Sequence, residues 1–394
     1  MKMSPQLWGF VAICLLSAAA CGGASGTGPM GGASGQANQL IADAGSSGWT
    51  TVGTNDAGAI APNAASYGRL SVAGSVPYAI FSDSLNGGKL SLLKLTGGKW
   101  SAVGNAGFSS ESVYDSYALY VDGTTPYVAY AGDTSSGLNV MKFNGSAWVL
   151  VGAANFATFT GYGGISLAVS NGVVYVAFID GSYKLHVMTY TGSTWVDVGG
   201  VPVATSVYTY SIMGLFNGAI YVAYNDSSKA VMNLATWTGT AWTIVATSTY
   251  TIDEYWAPII TVSNNTLYLI YYTYVYNTTT SKSCGPIVWK LSGNTLVSVG
   301  TLCSISNGDY VEYVSGTVYN GVPYVAFDDE DRDSDPEPRA ATVKYFDGTA
   351  WQLYAGYPSP NDIENTFIFA DPDTGRLYLT YEDWGNGGMI VQVH

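Results

Sequence analysis

Positively charged and imidazole side chains are scarce in this chain of 394 residues. It has 14 Lys and Arg against 28 Asp and Glu, which gives a formal net charge of −14 at pH 7. A surface this acidic repels phosphate backbones and anionic lipid headgroups, so we expect neither nucleic-acid binding nor a direct membrane-binding surface. The only two His are His186 and the last residue, His394. This argues against a His-based catalytic triad and against a His-rich metal site.

Cysteine is also scarce, and two of the four Cys, Cys14 and Cys21, lie in a signal-like N-terminal segment. Lys2 precedes an apolar stretch from Leu7 to Leu16, and small residues follow. No other apolar run reaches the ~18 residues needed to span a bilayer. The residues from Leu16 to Cys21, LSAAAC, resemble the lipobox of bacterial lipoproteins, although Ala18 stands where that family usually has Leu. The resemblance implies cleavage before Cys21 and lipidation of Cys21; the alternative is an ordinary secretory signal.

The residues after Cys21 are consistent with an anchored, exported protein. Gly22 to Gly35 are rich in Gly, Ser and Ala, as in a flexible tether. By the same resemblance, Gly22 rather than Asp after the lipidated Cys implies the outer membrane. We therefore expect a signal peptide over 1–20, a lipidated Cys and tether over 21–47 and a folded domain over 48–394. Membrane contact would be through the lipid anchor only.

Aromatic residues and Gly are abundant, and they recur in a fixed order. Two series step by 46 to 56 residues along the chain, and each has seven members. The first series is Tyr78, Tyr127, Tyr175, Tyr221, Tyr268, Tyr324 and Tyr378. The second is Trp49, Trp100, Trp148, Trp195, Trp242, Leu296 and Trp351. Several short strands within such a period indicate a β-propeller. We predict an all-β fold with seven four-stranded antiparallel blades.

The two ends of the chain each supply part of one blade. Gly48–Gly53 reads as the last strand of a repeat with nothing before it, whereas the chain ends after Met389–Val393, one strand short. We therefore predict that the N-terminal strand completes the last blade and closes the ring, which leaves no open sheet edge.

The hairpins between third and fourth strands carry a Gly-x-x-Trp pattern. It resembles the Asp-box of sialidase-like propellers over about five residues per blade, with the Asp in place only at Asp347. A sialidase-like mechanism needs three converging Arg, and fucose-lectin-type sites use one Arg per repeat. The four Arg of this chain do not fit either requirement: Arg69, Arg332, Arg339 and Arg376. The pattern therefore indicates the architecture without a functional family.

Two further series lie where loops leave the predicted strands. An Asp follows the repeated Tyr by five or six residues at Asp83, Asp133, Asp180, Asp226, Asp329 and Asp383. We expect these side chains to cap the turns after the second strands. An aromatic residue precedes the repeated Tyr by about thirteen residues at Tyr114, Tyr162, Tyr208, Tyr255 and Tyr310, with Trp256 beside the fourth. These residues either line one mouth of the central channel as a ligand-binding surface or wedge between blades as packing.

The same loops carry clustered carboxylates. The candidates for catalysis are Asp253 and Glu254, since glycoside cleavage requires two carboxylates about 5–9.5 Å apart. Asp329, Asp331 and Asp333 alternate in an acidic loop that resembles calcium loops but lacks the Gly and Glu of an EF-hand. The alternative in both cases is a solvated loop.

Cys284 and Cys303 flank a hairpin that turns at Gly293-Asn294. This turn pairs residues whose numbers sum to 587, as these two do, so we predict a disulfide between them in an oxidising compartment.

From these features we predict a monomeric binding module at the cell envelope that recognises carbohydrate or a protein partner through the Tyr-lined face. One alternative is a polysaccharide-acting enzyme, either a hydrolase or a lyase, that uses carboxylates on that face. Another is a structural platform for envelope proteins. No cofactor is expected, with calcium as the one open possibility.

Overall fold

The structure is a computed structural model that describes most of the chain from Gly48 onward. The described residues are 48–53, 60–62, 65–159, 164–207, 211–226, 228–248, 258–272, 275–277, 282–284, 286–301, 304–305, 311–329, 340–356, 358, 362–384 and 388–394. No helix in this part of the chain is long and apolar enough to cross a membrane.

Seven four-stranded antiparallel sheets form a ring, which confirms the predicted propeller. The innermost strands of blades 1 to 7 are Ala65–Ala73, Tyr117–Asp122, Ser166–Ser170, Ser211–Phe216, Ile259–Ser263, Val311–Tyr319 and Ile363–Ala370. The second strands are Val76–Asp83, Thr125–Ala131, Val173–Ile179, Ala219–Asp226, Thr266–Tyr271, Val322–Asp329 and Leu377–Asp383. The third strands are Lys89–Thr96, Gly137–Phe143, Leu185–Tyr190, Val231–Trp237, Ile287–Ser292, Ala340–Phe346 and Gly388–Val393. The outermost strands of blades 1 to 6 are Lys99–Ala102, Trp148–Leu150, Trp195–Asp197, Trp242–Thr247, Thr295–Ser298 and Trp351–Leu353.

Smaller elements decorate this frame. The described helical structure consists of two short 3₁₀ segments, Ser84–Asn86 and Val198–Gly200. Ala157–Thr158 adds to the third strand of blade 2. The innermost strand of each blade contacts the innermost strands of the two neighbouring blades, including those of blades 7 and 1.

The N-terminal strand closes the ring as predicted. Thr50–Thr51 is the outermost strand of blade 7, with Thr50 opposite Val393. The next residue extends the ladder, since the Val52 amide donates to the Val391 carbonyl at 3.0 Å. A second short segment, Ala61–Pro62, pairs further along the same edge, opposite Met389 and Gly388.

The core lies between the blades. The residue that follows the repeated Tyr is fully buried in all seven blades: Ala79, Val128, Val176, Val222, Leu269, Val325 and Leu379. The residue after that is also fully buried, although its side chain points the opposite way from the strand. Both faces of each blade are therefore covered by neighbouring blades, which explains why these runs show little alternation of apolar and polar residues.

In blades 1, 2, 3, 4 and 6 the repeated Trp links the blade to the one before it. The Trp195 indole N–H donates to the Val151 carbonyl of blade 2 at 3.0 Å. The same bond is made by Trp100, Trp148, Trp242 and Trp351. Gly152, next to Val151, has a φ of +82°, and a Cβ there would lie 2.8 Å from the Trp195 Nε1 atom. A Val-Gly pair three residues after the repeated position therefore accommodates the Trp of the next blade, and it occurs after Trp49, Trp100, Trp148, Trp195 and Leu296.

Blade 5 carries an additional hairpin between its second and third strands. Its strands are Val275–Asn277 and Lys282–Cys284, and Cys284 pairs with Val275. The predicted register of the next hairpin is confirmed, since Leu291 pairs with Leu296. The regular pairing there ends at Trp289 and Ser298, however, so it does not run as one ladder to Cys284. Cys303 lies outside the described residues, and the disulfide stays a prediction.

Candidate ligand-binding site on the loop face

The propeller has two unlike faces. The connections between blades and the loops after the second strands lie on one side, which we call the loop face. The turns from first to second and from third to fourth strands lie on the other, the turn face. The predicted capping role of the Asp series is confirmed for Asp83, Asp180 and Asp226, whose carboxylate oxygens accept from amides two residues further on. Asp133 differs, since its Oδ1 accepts from the Tyr114 amide.

Tyr114 is the only member of the predicted aromatic series among the described residues. Its side chain lies on the loop face of blade 2 and is 50% exposed, so it does not act as a buried wedge between blades. Its amide donates to Asp133 Oδ1 at 3.0 Å, which ties the start of the blade to the loop after the second strand. The other predicted ligand-binding residues and both catalytic candidates lie outside the described residues: Tyr162, Tyr208, Tyr255, Trp256, Tyr310, Asp253 and Glu254.

Tyr114 packs on a second aromatic residue, Tyr67 of blade 1. The two ring centres are 4.2 Å apart at an interplanar angle of 48°. Tyr67 has a φ of +56° and lies at a bulge in the innermost strand, where the pairing shifts between Ser66 and Arg69. The bulge is fixed from both sides, because the Tyr67 amide donates to Glu382 of blade 7 and the Tyr117 hydroxyl donates to the Tyr67 carbonyl.

A buried guanidinium lies beneath this aromatic pair. The Arg69 side chain belongs to a residue that is only 6% exposed, and its Nη2 donates to the Asp115 carbonyl at 2.6 Å. The Arg69 Cζ atom is 4.2 Å from the centre of the Tyr117 ring, a cation–π contact. Arg69 thus joins blades 1 and 2 at the base of the site and brings a positive charge to an acidic face.

Two carboxyl groups at the site have raised pKa values. Burial raises the pKa of Asp115 to about 6, against the opposing effect of Arg69. Burial also raises the pKa of Glu382 to about 7, and the charge of Glu364 adds to this shift. Glu382 accepts from Asn365 Nδ2 at 2.8 Å as well as from Tyr67. Near neutral pH the Glu382 carboxyl therefore populates both protonation states, and it can either donate or accept a hydrogen bond.

Exposed large side chains lie on the loop face of the same blades. Trp384 is 67% exposed and Leu85 is 81% exposed, and they follow the second strands of blades 7 and 1. Together with Tyr114 on blade 2, they place three large side chains around the loop face of three adjacent blades. Sequence reasoning missed Trp384 and Tyr67. Trp384 directly follows Asp383 of the Asp series, and this position was the available signal.

The metal prediction falls mostly beyond the described residues. Asp329 ends the second strand of blade 6, and Asp331 and Asp333 follow in the part that the structure leaves undescribed. Within the described ranges, no group of three or more His, Cys, Asp or Glu is arranged to hold a metal ion. A calcium site at Asp329, Asp331 and Asp333 stays a prediction.

Comparison with known proteins gives structural neighbours only. No protein-family profile and no curated protein matches this sequence. The BP39L lectin from Burkholderia pseudomallei is similar with a TM-score of 0.58 and 14% sequence identity, covering 84% of this chain and 96% of the lectin. An ulvan lyase bound to -[GlcA(1-4)Rha3S]- is similar with a TM-score of 0.56 and 10% sequence identity, covering 85% of this chain and 94% of the lyase. Aleuria aurantia lectin in complex with Fucα1-6GlcNAc is similar with a TM-score of 0.50 and 11% sequence identity, covering 74% of this chain and 96% of the lectin. At these identities the similarity shows a shared fold.

Proposed function

We propose that this chain is a carbohydrate-binding propeller of the bacterial cell envelope, with its ligand held on the loop face of blades 7, 1 and 2. The observation that carries this proposal is the tilted and partly exposed pair of Tyr67 and Tyr114 beside buried Arg69 and Asp115 and half-buried Glu382. Aromatic rings offer flat apolar faces to sugar rings, and carboxylates accept hydrogen bonds from sugar hydroxyls. That propellers of similar fold include proteins named as lectins supports this choice of ligand class.

The proposal predicts a localised loss of binding. In a glycan array probed with the purified full-length protein, we expect Tyr114→Ala and Trp384→Ala each to weaken binding of the recognised glycan by at least about tenfold, since each removes a stacking surface. Both side chains are at least half exposed, so unfolding free energies should change by no more than ~1–2 kcal/mol.

Tyr183→Ala is the matched control. Tyr183 is 40% exposed on the loop face of blade 3, away from the three blades of the site, and it shares a positive φ with Tyr67. Its replacement should leave glycan binding unchanged. Equal losses in all three variants would contradict the assignment to blades 7, 1 and 2.

A second candidate is an enzyme that cleaves polysaccharide. It is favoured by the raised pKa values of Asp115 and Glu382 beside the Tyr67 phenol, because a general acid or base works best with a pKa near the working pH. In this case Glu382→Gln would bind polysaccharide but no longer release reducing ends or unsaturated products. Absence of any product from the unmodified protein would exclude this candidate for the polysaccharides tested.

We also propose that Cys21 anchors the protein by lipid, on the basis of its lipobox-like surroundings. Metabolic labelling with a fatty acid in a Gram-negative host should mark the unmodified protein and not Cys21→Ser. Labelling of both would overturn the anchor assignment.

A further inference from the structure

Two grooves on the turn face repeat the same set of side chains. One lies between blades 1 and 2 with a cavity volume of about 760 Å³, and the other lies between blades 5 and 6 with about 440 Å³. Both volumes fall within the range of about 300–1,000 Å³ that is typical of ligand pockets. Neither groove contains a residue of the loop-face site, so ligand binding in the grooves does not depend on the function proposed for that site.

One wall of each groove is a cross-strand pair of Tyr and Lys. Tyr78 lies directly opposite Lys94 in blade 1, and Tyr268 lies directly opposite Lys290 in blade 5. Residues directly opposite each other in antiparallel strands share a face of the sheet. Tyr78 belongs to a core cluster that includes Leu119, Val121 and Val128 of blade 2, and the Tyr268 hydroxyl donates to the Gly321 carbonyl of blade 6 at 3.4 Å. Each pair therefore faces the following blade.

The opposite wall is formed by Pro and Phe of the following blade. These are Pro126 and Phe143 in blade 2, and Pro323 and Phe346 in blade 6. Phe143 reaches across to blade 1, since a Cβ added at Gly104 would lie 2.9 Å from its Cε2 atom. The combination of Tyr and Lys facing Pro and Phe occurs at no other neighbouring pair of blades in the described strands.

The grooves differ in charge at one turn residue. Asn144 lines the first groove and Asp347 lines the second, at equivalent positions of the third-to-fourth turn. Both side chains hold the turn in the same way: Oδ1 of each accepts from the amides two and three residues further on. These hydrogen bonds hold the pKa of Asp347 far below its usual range, so it is charged at neutral pH. The first groove thus has no acidic lining residue in a protein with 28 Asp and Glu, whereas in the second Asp347 offsets Lys290.

We infer that the groove between blades 1 and 2 binds a carboxylate-bearing sugar unit of an acidic polysaccharide. The half-buried Phe143 would contact the apolar face of the sugar ring, with the buried Tyr78 and Pro126 supporting it from below, and the exposed Lys94 ammonium would pair with the carboxylate. The groove between blades 5 and 6 has the same frame with its charge balanced, and it binds the same unit more weakly.

A reciprocal exchange at the turn residue tests the inference in the full-length protein. Calorimetric titration with tetragalacturonate should show a tighter site that Asn144→Asp weakens about fivefold and Lys94→Gln weakens about as much, as expected for the loss of one solvent-exposed charge pair. Asp347→Asn should tighten the weaker site by a similar factor. Both Asp and Asn have an Oδ1 atom that can accept from the turn amides, so neither exchange should affect folding. The unfolding midpoint of each variant tests whether this is so.

The controls separate this site from general charge effects and from the loop face. Thr191→Asp adds the same charge at the equivalent turn of blade 3, where Thr191 Oγ1 accepts from the Thr194 amide, and it should leave the affinity unchanged. Tyr183→Ala, on the loop face but outside the site proposed there, should also leave it unchanged. Equal weakening by Thr191→Asp and Asn144→Asp, loss of binding in Tyr183→Ala, or equal affinity for neutral cellotetraose would overturn the inference. Binding of polyglutamate in place of tetragalacturonate would overturn the sugar assignment in favour of an acidic peptide.

Discussion

At the scale of single residues, glycine positions decide how closely the blades approach. Gly152 combines a φ of +82° with no room for a Cβ, because Trp195 of the next blade packs there. Gly192, in a hairpin of blade 3, has a similar φ of +93° but open space around it. Gly152 therefore needs to be Gly for both its backbone conformation and its packing, whereas Gly192 needs to be Gly for its conformation alone.

This difference predicts unequal costs of adding one methyl group. Gly192→Ala should lower the unfolding free energy by about 1–2 kcal/mol through backbone strain. Gly152→Ala should lower it by about 2–5 kcal/mol, since it adds overpacking against Trp195 to the same strain. Chemical denaturation of the two variants provides the measurement. Equal losses of unfolding free energy would mean that the space between Gly152 and Trp195 accommodates a Cβ, and that this contact does not limit how closely blades 2 and 3 pack.

At the scale of elements, the short N-terminal strand contributes to the stability of the whole ring. Thr50–Thr51 and the amide of Val52 pair with the C-terminal half of the third strand of blade 7, and Ala61–Pro62 pairs with its start, so together they cover this edge. The Val52 carbonyl also accepts from the Trp100 indole of blade 1 at 3.0 Å. The strand therefore bonds to both the last blade and the first.

Proline at the two adjacent positions 51 and 52 of this strand should have different effects on stability. Val52→Pro removes the bond from the Val52 amide to Val391, and we expect it to lower the unfolding free energy by about 1–3 kcal/mol. Thr51→Pro is the matched control, because in an antiparallel edge strand the neighbouring amide points away from the ladder. Thermal unfolding followed by circular dichroism distinguishes the two. If Val52→Pro were no more destabilising than Thr51→Pro, the closing strand would contribute little to the ring.

At the scale of the whole molecule, buried titratable groups and the net charge of −14 act on stability in the same direction. Glu382 and Asp115 keep protons in the folded protein at pH values where the unfolded chain has released them. His186 also keeps a proton in the folded protein, because its pKa is raised, mainly by the hydrogen bond to Asp197. Its ring nitrogens lie 2.9 Å from Asp197 and 3.2 Å from Asp180. Its stabilising effect is complete below the ordinary His pKa and is lost as the pH rises through the raised one.

We therefore predict greatest stability at mildly acidic pH. The unfolding free energy should fall as the pH rises from about 4 to about 7, because the folded state binds more protons than the unfolded state in that window. For Glu382 alone, a pKa raised from 4.5 to about 7 corresponds to a loss of about 3 kcal/mol of unfolding free energy as the pH rises through this range. Below about pH 4 the trend should reverse, since Asp180 and Asp226 have lowered pKa values and lose their bonds on protonation.

Glu382→Gln is the variant that checks this assignment. Denaturant titrations at about pH 5 and about pH 8 should give a smaller difference in unfolding free energy for Glu382→Gln than for the unmodified protein. Gln keeps an oxygen that can accept from the Tyr67 amide, so folding at acidic pH should be preserved. An unchanged difference between the two pH values would assign the pH dependence to other groups.

The fold could be predicted from the sequence because the strands and turns of each blade are encoded within one repeat, and the repeat recurs seven times. The Tyr and Trp series set the number of blades, and the strand fragments at the two ends of the chain indicated the closure. The hairpin register around Gly293 followed from the turn alone and was confirmed by the pairing of Leu291 with Leu296. The extra hairpin in blade 5 escaped prediction, because an insertion inside one repeat has no counterpart in the others to reveal it.

The loop-face site was decided only by the tertiary structure. The sequence predicted the position of Tyr114 on the loop face, but Tyr67 and Glu382, which bond to each other, are 315 positions apart. They meet because ring closure brings the last blade against the first, and a bulge at Tyr67 turns its side chain towards Tyr114. Local pattern determines each blade, since each strand bonds mainly to its neighbours in sequence. Contacts between blades depend on how the ring closes, and no single repeat contains that information.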